Sequence, residues 1–275
     1  MFSSKPAPVQ VNWLGYHSTT GLPTMDYLFT DQVSSPAMDT PGYSETLWPL
    51  PHSRLPLFRP DICLASPLPC TKENAPFTFG CFQNTQKIND KVMQVWSEIL
   101  AACPYSHLRV QSANLGNPEI KTTFAARLGA AGIASNRYTL LPDTGMQAYI
   151  QAHAEVDLIL DTFPYPGGTT TNFALWQGVP TLTLATPGML GRQGEMLMKA
   201  AGLPDWVCDT LHSYQTTAIH YGSRTPQALK QLATLRKALP AQLARQPAAD
   251  MRLFARNLHT ALRDMWRNYC KNQPV

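Results

Sequence analysis

The sequence predicts an α/β protein built on a Rossmann-like parallel sheet. Three observations carry that expectation. Strand-like and helix-like patterns alternate from residue 77 to residue 184, and each parallel crossover needs a helix of this kind. The chain is 44% hydrophobic over 275 residues, enough to fill a real core. Its last helical stretch carries a wide apolar stripe that must pack on another element.

Residues 9–16 alternate like a strand, His17-Ser18-Thr19-Thr20-Gly21 reads as turn, and residues 27–30 form a second short strand. Two strands without a helical layer cannot make a domain, so residues 1–55 are expected to end something larger or to dock on the rest of the chain. Residues 56–76 read as a linker, because the prolines between Pro49 and Pro76 forbid a continuous helix or central strand.

Regular structure begins with a strand at 77–82 and a helix starting near Asn89, with Val92, Val95, Trp96, Ile99 and Leu100 on one face. Strands at 107–111, 137–141, 156–160 and 179–184 then alternate with helices around Ile120, Phe124 and Leu128, at 146–153 and at 170–177. Past Gly202 the pattern is helical without strands, at 225–239 and 248–269. The last helix aligns Met251, Phe254, Leu258, Leu262, Met265 and Trp266. The regular lobe is therefore taken as 77–245, with 246–275 a closing helix.

Charged residues are only 15% and the net charge of +4 is spread along the chain, so neither nucleic acid nor a membrane surface is expected as a partner. The six cysteines, Cys63, Cys70, Cys81, Cys103, Cys208 and Cys270, form no C-x-x-C pair and no zinc spacing, and read as reduced thiols. There is no apolar leader and no long apolar run, so a soluble cytoplasmic protein is expected.

In an open parallel sheet ligands bind where strand ends meet helix N-termini. Two loops qualify. In Asp161-Thr162-Phe163-Pro164-Tyr165-Pro166-Gly167-Gly168-Thr169-Thr170-Thr171-Asn172, paired glycines allow close backbone approach, and threonine hydroxyls join the amides of a helix start, the parts of a diphosphate cradle. The same residues would also suit an ordinary helix cap. In Phe82-Gln83-Asn84-Thr85-Gln86-Lys87-Ile88-Asn89, Lys87 could neutralise phosphate and Asn84 could hydrogen-bond it, although a lone lysine near a helix start is usually a solvated surface residue.

These loops, with Pro6-Ala7-Pro8-Val9-Gln10, Trp13-Leu14-Gly15-Tyr16, Thr20-Gly21, Met25-Asp26-Tyr27, Tyr43-Ser44-Glu45 and Leu175-Trp176-Gln177-Gly178-Val179-Pro180, resemble the protein O-linked N-acetylglucosamine transferases and the SPINDLY-like family. The resemblance implies the C-terminal lobe of a GT-B glycosyltransferase, with residues 1–55 a remnant of the N-terminal lobe and the closing helix returning toward that lobe. It implies a UDP-N-acetylglucosamine donor, a protein Ser or Thr acceptor, inversion, and no cofactor or required metal.

By position, the resemblance puts Lys87, Asn84, Thr169 and Thr170 on the diphosphate, Leu14 and Gly15 at the sugar, and Tyr149 beside uracil. Phe173 stands where relatives carry an acid for the ribose, and Gly168 replaces a bulkier polar residue. The family's N-terminal histidine segment and superhelical repeats lie before Pro6, so a separately encoded lobe or repeat domain is an expected partner. The resemblance assigns no general base to this chain. His17 lies closest to the mapped sugar and reads as a loop residue. A donor-binding remnant, one subunit of a split enzyme, and an epimerase of free UDP-sugar are the competing expectations.

Overall fold

The computed structural model describes residues 1–15, 17–35, 42–62 and 67–272, so Tyr16, expected at the end of the first strand, and Cys63 lie outside the described residues. Two parallel sheets organise the chain. The first contains β1 (Val11–Asn12), β2 (Tyr27–Thr30) and β3 (Thr46–Pro49), in that order. The expected first strand is thus shortened to two residues, because the chain leaves the sheet at Trp13, whose indole N–H donates to the Arg54 carbonyl at 3.0 Å. A third strand, which the sequence pattern does not predict, ends in Pro49, which an edge position tolerates.

The second sheet is assembled from β4 (Phe77–Cys81), β5 (Ser106–Gln111), β6 (Tyr138–Leu141), β7 (Leu158–Leu160), β8 (Thr181–Leu184) and β9 (Val207–Cys208). Its spatial order is β6-β5-β4-β7-β8-β9, all parallel. This is the doubly wound order in which the chain reverses direction across the sheet between its first and fourth strands, here β4 and β7, opening a crevice at their carboxyl ends. Helices α1 (Asp90–Ala102), α2 (Pro118–Ala130), α3 (Met146–Ala152), α4 (Thr169–Trp176), α5 (Gly188–Gly191), α6 (Gln193–Ala200), α7 (Leu211–Gly222) and α8 (Pro226–Leu243) accompany it.

Local chemistry sets these boundaries. Asn89 caps α1 by accepting the Val92 amide at 2.9 Å, Asn117 caps α2, and Thr225 caps α8 ahead of Pro226. The α1 stripe of Val92, Val95, Trp96, Ile99 and Leu100 is buried with Phe79, Leu108 and Leu158 of the sheet in one continuous core. Two expectations fail past residue 202. The segment holds strand β9, and it holds a further helix, α7, that the pattern does not predict; α7 buries only Tyr214, Ala218 and Gly222, too thin a stripe to stand out among its polar residues.

The closing helix, α9 (Met251–Lys271), packs on the first sheet rather than on the second. Ala261 and Met265 join Phe29 and Leu50 in a small core, with Phe254 stacked on Trp13 at 5.9 Å between ring centroids. The 56–76 segment crosses α4 on the way. Asn172 donates to the Phe58 carbonyl at 2.8 Å, Trp176 to Leu57 at 3.3 Å and Gln177 to Ile62 at 2.8 Å.

Candidate donor site at the switch point

The two loops meet at the carboxyl ends of β4 and β7. Lys87 Nζ donates to Pro166 O at 3.2 Å and lies 3.9 Å from the centroid of the Tyr165 ring. Gln83 Nε2 donates to Thr170 Oγ1 at 2.6 Å, its Oε1 accepts from Lys87 Nζ at 3.2 Å, and Asn89 Nδ2 donates to Phe163 O at 2.9 Å. Between them opens a cavity of about 340 Å³ lined by Leu14, His17, Leu55, Gln83, Lys87, Tyr165, Gly168, Thr169, Thr170 and Gln193. A second, more apolar cavity of about 280 Å³ shares Leu14, Leu55, Gly168 and Thr169 and extends to Pro56, Phe58, Asn172 and Leu197.

The glycine loop is built around a buried carboxylate. Asp161 Oδ1 accepts the amides of Gly167 at 2.8 Å and Thr162 at 3.0 Å, and Oδ2 accepts the Thr183 hydroxyl at 3.0 Å. A Cβ at Gly167 would stand 2.2 Å from Gln83 Nε2 and 2.4 Å from Thr171 Oγ1, so any side chain there would force these cavity groups to move. Helix α4 starts at Thr169, so its first amides and the positive end of its dipole face the cavity beside Lys87.

Burial dominates the charges. It pushes the Asp161 carboxyl up to about 6, against the opposing pull of its hydrogen bonds and of Lys87. Burial also holds Lys87 below the usual lysine range although Asp161 pulls the other way. Asp161, at about 6, is mostly ionised at neutral pH, and the Lys87 side chain lines the cavity.

The residues that the sequence assigns to the site divide. Lys87, Thr169, Thr170 and Leu14 line one cavity. Gly15 is exposed beside it and is not among the lining residues. Asn84 stands one residue out of place: it is exposed, its Oδ1 caps the short turn Thr85–Lys87 through the Gln86 amide at 3.0 Å, and Asn114 donates to the same oxygen at 3.0 Å. Its neighbour Gln83 takes the cavity position. The reason is register, since Phe82 turns inward after β4 and the next side chain points across the crevice. Tyr149 lies to one side, its hydroxyl donating to Phe82 O at 2.6 Å. Its ring meets a cluster in which Phe82 stacks on His153 at 3.8 Å and His153 meets Phe173 edge-on. Phe173 is buried against Phe58, an apolar contact at the position where the resemblance implies an acid in relatives.

Arg54 and Gln193 support the glycine loop from a distance that the sequence does not reveal. Arg54 is fully buried, and its Nη2 donates to Gln193 Oε1 at 2.7 Å. Gln193 Nε2 in turn donates to Gly167 O at 3.1 Å. No local signal marks a contact between residues 139 positions apart. Asp161 does carry a signal, as an acid ending an apolar strand just before a Gly/Thr loop. Among the described residues no group of three His, Cys, Asp or Glu side chains is placed to hold a metal ion, and no helix is long and apolar enough to cross a membrane.

A switch-point crevice with a lysine and a Gly/Thr helix start, faced by a loop from a second parallel sheet, defines the GT-B class of glycosyltransferase fold. Within that class the chain belongs to glycosyl transferase family 41, whose profile matches residues 1–55 and 69–258. It is 38% identical over 98% of its length to a Petunia hybrida protein named as a probable UDP-N-acetylglucosamine–peptide N-acetylglucosaminyltransferase SPINDLY. The match spans 29% of that protein. An Arabidopsis thaliana protein of the same name is 36% identical, again over 98% of this chain and 29% of the relative.

Among solved structures, a variant of the Thermobaculum terrenum O-GlcNAc transferase superposes with a TM-score of 0.87 at 33% identity, covering 98% of this chain and 50% of that one. The Anabaena HepE protein, solved with UDP and glucose, shares the fold at a TM-score of 0.56 and 15% identity, over 87% of this chain and 64% of its own. The chain thus spans less than a third of the curated relatives named here and half of that O-GlcNAc transferase.

Proposed function

We propose that this chain carries the donor-binding part of a glycosyltransferase that moves N-acetylglucosamine from UDP-N-acetylglucosamine to Ser or Thr hydroxyls of proteins, with inversion at the anomeric carbon. The observation that carries the reading is the convergence of Lys87, Gln83, Thr169 and Thr170 on one cavity from the two strands flanking the switch point. The leaving nucleoside diphosphate would be held by the Lys87 ammonium and the first amides of α4, with no cofactor and no metal in that role. Leu14 would border the sugar, and Tyr149 with Phe82 would form the wall beside the base.

The names of the relatives support the donor and the protein acceptor. The free state of Cys70, Cys81, Cys103, Cys208 and Cys270 supports a reducing, cytoplasmic setting. An N-terminal lobe or repeat region would complete the acceptor side.

Calorimetric titration with UDP tests the donor claim: saturable binding is expected, and Lys87→Ala should weaken it about 10- to 100-fold, the worth of a charged hydrogen-bonding contact. Unchanged affinity in that variant would remove Lys87 from the phosphates. A donor-binding chain without transfer of its own is a second reading, favoured by the lack of any carboxylate among the described residues lining the cavity. Release of radiolabelled sugar onto a peptide acceptor separates the two.

A further inference from the structure

We propose that His17 takes the proton from the acceptor hydroxyl, and that a nucleoside diphosphate held by Lys87 is what enables it to do so. The proposal rests on the donor reading above and adds the identity of the proton acceptor. His17 lines the same cavity as Lys87 and Thr170. Its Nδ1 is shielded from solvent and has no hydrogen-bond partner among the described residues. A buried ring nitrogen left open is costly, and a ligand hydroxyl would satisfy it. The other described side chains lining the cavity are a lysine, hydroxyls, amides and hydrocarbon, so among the described residues the imidazole is the group suited to accept a proton near neutral pH.

The coupling to the donor is electrostatic. Tyr165 stands between the two groups, with the Lys87 amine 3.9 Å from its ring centroid and the His17 ring edge-on at 6.4 Å. Arg54 lies buried nearby. Three nearby carboxylates among the described residues are engaged elsewhere: Glu45 by Thr19 and Thr20, Asp31 by the Arg54 amide, and Asp161 by the glycine loop. Burial and then the cations Arg54 and Lys87 hold the imidazole down to about 4, so it is neutral and a poor base. A diphosphate placed on Lys87 cancels one of those cations and adds negative charge that favours the imidazolium.

The step then balances. The acceptor O–H proton passes to Nδ1 while the oxygen forms a bond to the anomeric carbon. The sugar–phosphate C–O bond breaks, and its electron pair leaves on the diphosphate, stabilised by Lys87 and the α4 amides. His17 returns its proton to solvent after the products depart.

Titration of the His17 ring protons by NMR, assigned by difference from His17→Gln, tests this with the intact chain. With saturating UDP the midpoint should rise by about one pH unit or more, and Lys87→Met should raise it without UDP. His17→Gln should bind UDP within about twofold of the parent and lower transfer by about 100-fold or more. A midpoint that stays put while calorimetry shows UDP bound overturns the proposal, and so does parental transfer by His17→Gln. Failure of UDP to bind at all would overturn the donor reading itself, and this inference with it. The NMR arm decides even where transfer is too slow to follow.

Discussion

The six-stranded sheet buries Phe77, Phe79, Leu158, Leu160, Leu182 and Leu184 within one core shared with α1, α6, α7 and α8. The three-stranded sheet rests on Phe29, Leu50, Ala261 and Met265, with half-buried rings such as Trp13, Tyr27 and Phe254 around them. Both contribute to the same cleft, but unequally. The larger sheet supplies the cation, the amides and the hydroxyls from elements tied down by Asp161 and Asn89. The smaller supplies the Leu14 and His17 loop, held at its far end by the Glu45 carboxylate through Thr19 and Thr20. Under the proposed function, donor binding and acceptor chemistry would rest on regions of unequal burial, and the more thinly packed wall would be the one to adjust.

The largest effect that tests this contrast is a core truncation. Phe79 is fully buried, and Phe79→Ala should cost about 3–5 kcal/mol in denaturant unfolding. Phe254, half-buried against Trp13, should cost about 1–2 kcal/mol on truncation to alanine and leave UDP affinity unchanged. Equal costs would mean that Phe254 is packed as tightly as Phe79 and that the contrast in burial carries no energetic weight.

Acid stability sharpens the comparison next, because the larger sheet's cleft edge holds groups with opposite pH responses. Burial lowers His153 to about 4, so between roughly pH 6.5 and 4 the unfolded chain takes a proton that the native chain refuses, and stability falls as pH falls. Asp161, raised to about 6, binds its proton more tightly when folded, so its contribution rises as pH falls through roughly 6 to 4. His153→Phe should therefore make the drop in Tm between pH 6.5 and 4.5 shallower, and Asp161→Asn should make it steeper. Thermal melts at the two pH values check both signs.

How far the sequence reveals this molecule depends on the range of each interaction. The alternation from β4 to β8 is legible because its strands read as apolar runs, as in β7, or as alternations, as in β5 and β8, and α1 repeats its apolar residues on one face. Strand β9 is two residues long and shows no period, and β3 ends in a proline that argues against a strand. The Gly/Thr loop and Lys87 are visible as local chemistry. The support beneath them is not: Arg54, Gln193 and Thr183 reach the loop from distant parts of the chain, and nothing in their own neighbourhoods marks them.

The smallest expected effect bears on the one-residue slip at the end of β4. Side chains alternate between faces until the strand ends, so a one-residue error at that point exchanges a cavity residue for a solvent-facing one. Asn84 spends its oxygen on the Gln86 amide and on Asn114, whereas Gln83 bridges Lys87 to Thr170. Asn84→Ala should cost about 0.5–1 kcal/mol of stability as a lost turn cap and shift UDP affinity by less than about twofold. Gln83→Ala should weaken UDP binding by about 5- to 10-fold, since it frees both the ammonium and the hydroxyl that it now holds in place. Calorimetry on the two variants separates them, and the reverse ranking would return Asn84 to the phosphates and displace Gln83.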